Sequence, residues 1–78
     1  MRQKERYLLI TFQATTEAMG FEETAKMEGL KGRIIPLPPT ISAGCGLAWK
    51  GSLEQRNVLE EFLKKHHFKH DKIVECLL

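Results

Sequence analysis

Apolar residues along this chain come in short blocks with two spacings, and the spacing changes four times between the first block and the last. Tyr7-Leu8-Leu9-Ile10-Thr11-Phe12 is an unbroken run of aliphatic, β-branched and aromatic side chains, which predicts a central strand. From Thr15 or Thr16 onward, either of which could offer a hydroxyl to the free amides of a first turn, the period lengthens. Ala14, Ala18, Phe21 and Ala25 then share one face of a helix running to about Glu28, and Gly29 is its natural stop. Arg33-Ile34-Ile35-Pro36-Leu37 predicts a second strand, and its proline, lacking an amide hydrogen, belongs at a sheet edge. Gly46 to Lys50 predicts a third. Ser52-Leu53-Glu54-Gln55 matches a capping box, with Ser52 capping the amide three residues on and Gln55 reaching back. The helix opened there turns Val58, Leu59, Phe62, Leu63 and His66 inward. After a polar turn over Lys69 to Lys72, Ile73 to Leu78 forms a fourth strand, with Val74, Cys76 and Leu78 on one face and Ile73, Glu75 and Leu77 on the other.

The predicted order is β-α-β-β-α-β, an α+β, ferredoxin-like arrangement: right-handed crossovers place both helices on one face of a four-stranded antiparallel sheet. The second strand then lies at an edge, in agreement with Pro36. The other sheet face has no helix, so Tyr7, Leu9 and Thr11, or the alternate set, are expected to meet water or a partner. A homodimer, or a docked or fused protein, on that face is the expectation.

Composition adds limits. The 78 residues make one domain, 1–78, because a chain this short does not divide into two cores. Hydrophobic residues at 42% and charged residues at 28% suit a globular fold, and a net charge of +2 argues against general polyanion binding. No apolar run approaches the roughly 18 residues of a membrane span, and Tyr7 to Ile10 is too short for a signal-peptide core, so a cytoplasmic setting is expected. Two cysteines, Cys45 and Cys76, fit reduced thiols better than a disulfide framework, and they are too few for a zinc or iron–sulfur site. No cofactor is implied.

Candidate chemistry centres on Thr40-Ile41-Ser42-Ala43-Gly44-Cys45-Gly46-Leu47-Ala48. A cysteine between two glycines is little shielded by its neighbours, and Pro36, Pro38 and Pro39 stiffen the approach. Free amides of such a loop could form an anion nest, although no base accompanies Cys45. The plain alternative is a cysteine filling space beside a tight turn. His66 and His70 have helical i, i+4 spacing, but the helix is expected to end before His70 and nothing completes a metal set. Lys64 to Lys72 is read as a solvated basic helix end. Tyr7, Phe12 and Trp49 lie in strands without the flanking motif of an RNA-binding sheet, so nucleic acid is not expected as a partner. Cys76 is expected to be a buried small hydrophobe.

The residues 7–12 strand, the Ala-containing helix, Ile34-Ile35-Pro36-Leu37-Pro38 and Ile41-Ser42-Ala43-Gly44-Cys45-Gly46-Leu47-Ala48 together resemble a bacterial selenium/sulfur carrier-like domain family. Its members occur as short stand-alone proteins and as the C-terminal part of selenium-metabolism proteins. The resemblance spans nearly the whole chain. It implies a carrier thiol at Cys45, holding sulfur or selenium as a persulfide or selenosulfide, with Ser42, Ala43, Gly44 and Gly46 as its loop. Ala43-Gly44 stands where the family would have more serine, and Trp49 where a smaller or aliphatic residue is usual. The resemblance also implies a donor such as a cysteine desulfurase or a sulfur-carrier domain protein.

Two readings follow. In the first, Cys45 is a passive carrier. In the second, the chain is an interaction or regulatory module using the open sheet face, with Cys45 structural or redox-sensing. An independent enzyme is the least supported, because no acid–base pair accompanies the thiol.

Overall fold

The computed structural model describes residues 5–38, 41 and 44–77. Four strands and two main helices follow one another as β1 (Arg6–Thr11), α1 (Thr15–Met27), β2 (Gly32–Pro36), β3 (Leu47–Ser52), a 3-10 turn (Leu53–Gln55), α2 (Arg56–Lys65) and β4 (Ile73–Leu77). The sheet order is β2-β3-β1-β4, with every neighbouring pair antiparallel. This is the expected ferredoxin-like α+β fold, with the proline-bearing β2 at an edge. No helix among the described residues is long and apolar enough to cross a membrane.

Alternation along β1 sends Leu8 and Ile10 to the helix-bearing face. There they join Phe12, Trp49, Ala18, Phe21, Ala25, Leu59, Phe62 and Leu63 in one buried cluster. Phe21 of α1 is its centre: its ring lies 5.4 Å from Phe12, 5.2 Å from Trp49, 5.1 Å from Phe62 and 5.4 Å from Phe68, mostly tilted or edge-on. Such pairs each add about 0.5–1.5 kcal/mol beyond area burial. The Trp49 indole fits because two glycines face it. A Cβ at Gly32 would sit 2.6 Å from the indole, and one at Gly51 would sit 3.1 Å from its nitrogen. Gly32 and Gly51 are direct partners across β2 and β3, so the indole rests on a bed without side chains.

The opposite face differs from expectation. Leu9, Thr11 and Ala48 are fully buried although no helix covers them, and Tyr7 is half-buried. Lys50 stands opposite Leu9 and places its ammonium 4.0 Å from the centre of the Tyr7 ring, so its aliphatic stem crosses the middle of the face. The large exposed hydrophobics, Met19, Met27, Val58 and Leu77, lie on the helices and at the end of β4. Cys76, opposite Tyr7, is half-buried on this open face and is not a core residue.

Both helices end in the same hydrogen-bonded motif. At α1, Leu30 N donates to Ala25 O (2.9 Å) and Gly29 N to Lys26 O (3.1 Å), with Gly29 at φ 75°. At α2, Phe68 N donates to Leu63 O (3.1 Å) and His67 N to Lys64 O (3.3 Å). There the left-handed residue is His67, at φ 55°. The two ends meet: the Glu28 carboxylate pairs with the His66 imidazole and lies 3.7 Å from the Lys65 ammonium. His66 thus closes α2 at the surface of the Phe62 and Phe68 rings.

Several local expectations shift. The N-cap of α1 is Ala14, whose amide donates to the Glu17 carboxylate (3.3 Å), and neither Thr15 nor Thr16 has that role. β3 runs on to Ser52, whose hydroxyl accepts from Glu54 N (3.2 Å), two residues on. Gln55 does not reach back; its Oε1 is buried with no hydrogen-bond partner among the described residues. Val58 faces solvent. Leu78 lies outside the described residues.

A non-glycine residue in the left-handed region costs about 1–2 kcal/mol, so His67→Gly is expected to raise stability by about 1 kcal/mol in urea denaturation. Gly29→Ala is expected to lower it by a similar amount. A stabilising Gly29→Ala, or a destabilising His67→Gly, would contradict the matched-motif reading.

Candidate functional site

The cysteine loop is fixed from both sides by backbone hydrogen bonds. On the strand side, Leu37 N donates to Gly46 O (2.9 Å), continuing the β2–β3 pairing one residue past Pro36 and Leu47. On the other side, Cys45 N donates to Phe12 O (3.0 Å), at the point where β1 has ended and α1 is about to begin. The loop amide at the thiol-bearing residue is therefore occupied by the protein's own backbone and does not belong to an open anion nest.

Gly44 is what lets the loop come this close. Its φ is 42°, and a Cβ there would lie 1.9 Å from Phe12 O and 2.8 Å from Gln13 Cα. No side chain fits without displacement of the backbone. Gly46 is also in the left-handed region, at φ 80°, but beyond its chain neighbours no described residue lies within 4 Å of the position its Cβ would take. The two glycines thus have different jobs: Gly44 permits a close approach, and Gly46 only completes the turn into β3.

Cys45 is a free thiol, half-buried and packed against the edge of the aromatic cluster. No hydrogen bond from a described residue reaches its sulfur. Ser42 and Ala43, named from the sequence as loop support, lie outside the described residues, whereas Gly44, Cys45 and Gly46 are contiguous in the turn. Cys76 belongs to the other end of the sheet, opposite Tyr7. Tyr7 and Phe12 are five residues apart along β1, about 17 Å at strand spacing. That exceeds the reach of a disulfide, so the two thiols act separately.

The sequence did not single out Phe12 as the loop's anchor, because the anchoring group is a main-chain carbonyl that leaves no mark in side-chain chemistry. Near it, Gln13, Glu17, Phe68, Lys69 and His70 line a cleft of about 380 Å³. Gln13 brings this cleft beside the loop, since a Cβ at Gly44 would lie 2.8 Å from Gln13 Cα. The lead-in to β4 is tied to the same strand end. Asp71 N donates to Thr11 O (2.7 Å), Thr11 N to Lys72 O (2.8 Å), and Lys72 N to the Thr11 hydroxyl (2.9 Å). His66, His67 and His70 do not converge, and the described residues contain no group of three or more potential metal ligands.

The arrangement offers a single sulfur on a turn pinned by backbone hydrogen bonds, and no described side chain hydrogen-bonds to it. The chain belongs to the family described as "Putative Se/S carrier protein-like", whose family model matches residues 7–75 and so takes in the cysteine turn and all of the sheet but the outer ends of β1 and β4. No curated protein and no solved structure matches it.

The unequal glycines give a direct check. Gly44→Ala is expected to destabilise the fold by about 2–4 kcal/mol, from backbone strain and overpacking together. Gly46→Ala is expected to cost about 1–2 kcal/mol, from strain alone. Equal losses in urea denaturation would show that the contact with Phe12 O does not bear on stability.

Proposed function

We propose that this chain is a sulfur or selenium carrier in which Cys45 holds the cargo atom as a persulfide or selenosulfide. The observation that carries the reading is the Cys45 turn itself: a free, half-buried thiol whose backbone is pinned to Phe12 O between two left-handed glycines. Membership of the family supports sulfur or selenium as the cargo class.

The transfer needs no group beyond the two sulfurs. The Cys45 thiolate attacks the outer sulfur of a donor protein's persulfide. The donor's S–S bond breaks, its electron pair leaves with the donor's inner sulfur as a thiolate, and a new S–S bond forms on Cys45. One sulfur atom moves and no external oxidant or reductant is consumed. A selenium cargo follows the same balance, with a selenosulfide formed on Cys45. Delivery is the reverse attack, by an acceptor nucleophile on the outer atom. The fitting donor is a persulfide-bearing protein such as a cysteine desulfurase or a sulfur-carrier domain protein.

The structure's contribution is positional. A fixed main chain limits how the cargo can point, and partial burial against the aromatic cluster shelters the inner sulfur from stray thiols. The missing side chain at position 46 leaves room for a donor to approach.

Incubation with a cysteine desulfurase and cysteine is expected to add one sulfur atom to the intact protein, as read by mass spectrometry, and a reductant should remove it. Cys45→Ser should abolish the adduct, and Cys76→Ser should retain it. An adduct that persists in Cys45→Ser, or none in the unaltered protein, would overturn the assignment.

A further inference from the structure

Away from the cysteine turn, at the opposite end of the sheet, Tyr7, Lys31, Gly32, Arg33, Lys50, Gly51 and Ser52 line a cleft of about 400 Å³ on the open face. Register places Arg33 directly opposite Lys50 on the neighbouring strand. Two like charges in that position repel and weaken a strand pair. Lys31 adds a third cation one residue before β2. None of the three forms an ion pair with a described carboxylate, although Arg6, Arg56 and Lys65 elsewhere on the chain all do. Glu5 accepts the Tyr7 hydroxyl (3.1 Å) and pairs with none of the cleft cations.

From this juxtaposition we propose that the cleft binds a small soluble phosphate, either free phosphate or a phosphate monoester. Arg33 supplies a planar, multidentate donor, and Lys31 and Lys50 supply charge. The Ser52 oxygen accepts from Glu54 N, which leaves its hydroxyl hydrogen free for an anion. Gly32 and Gly51 complete the lining. The volume is within the range of small-molecule sites. Bound phosphate converts the Arg33–Lys50 repulsion into two attractions to a common anion. This site is independent of Cys45 and stands whether or not the carrier reading does.

The test is a titration of isotope-labelled protein with sodium phosphate, and separately with a nucleoside monophosphate, followed by amide chemical shifts at constant ionic strength. Saturable shifts centred on residues 31–33 and 50–52 are expected. Arg33→Gln, at an exposed position where folding is not at risk, should weaken binding by at least about tenfold. Lys69→Gln removes the same charge from a different cleft and should leave binding unchanged, as should Cys45→Ser. Linear shifts spread over the surface, or equal weakening by Arg33→Gln and Lys69→Gln, would overturn the proposal. A preference for the monoester over free phosphate would identify the monoester as the source; the reverse would identify the inorganic ion.

Discussion

Phe21 holds this small fold together. One ring on α1 touches Phe12 at the end of β1, Trp49 in β3, Phe62 in α2 and Phe68 beyond it. A chain of this size buries a modest share of its surface, so a centre that ties five segments through one side chain matters more than it would in a larger domain. Its reach extends to the cysteine turn. Phe12 gives its ring to Phe21 and its carbonyl to Cys45 N, so the geometry of the thiol loop is set by the same residue that closes the core. The rigidity of the turn is borrowed from the aromatic cluster.

The architecture was legible because each element is announced locally. The run at residues 7–12, the helical spacing of Ala18, Phe21 and Ala25, Gly29 as a stop and Pro36 at an edge are all one-dimensional signals. The features that escaped depend on neighbours distant in sequence. His67 takes the left-handed position where glycine would be looked for, held by Phe68 packing and two backbone hydrogen bonds. Leu9 and Lys50 face one another across the strand pair, and strand register is invisible to periodicity. The same limit hid the facing of Arg33 and Lys50. At the thiol loop, the cysteine and its glycines were visible; their unequal roles were not, since they depend on the position of the Phe12 carbonyl.

The edge at β2 is closed with care. Ile34 N donates to the Glu22 carboxylate of α1 (3.3 Å), and Pro36 has no amide hydrogen to offer. Two outward donors that could recruit another strand are thus removed by a side chain and by an imino acid. Lys31 and Arg33 add charge along the same border. A partner approaching β2 therefore meets side chains, and recognition there depends on charge and shape in place of backbone pairing.

The bed of Gly32 and Gly51 beneath Trp49 has a consequence for inheritance. A Cβ at Gly51 would lie 3.1 Å from the indole nitrogen, so a side chain there requires the indole to give way; a Cβ at Gly32 would meet the indole at 2.6 Å and the Lys50 carbonyl oxygen at 2.5 Å. Lineages that differ at position 49 are relieved of the indole contact at 51, whereas glycine at 32 is still required by the neighbouring main chain. The size of one core side chain thus bears on how bare position 51 must be, and the strand pairing itself governs position 32.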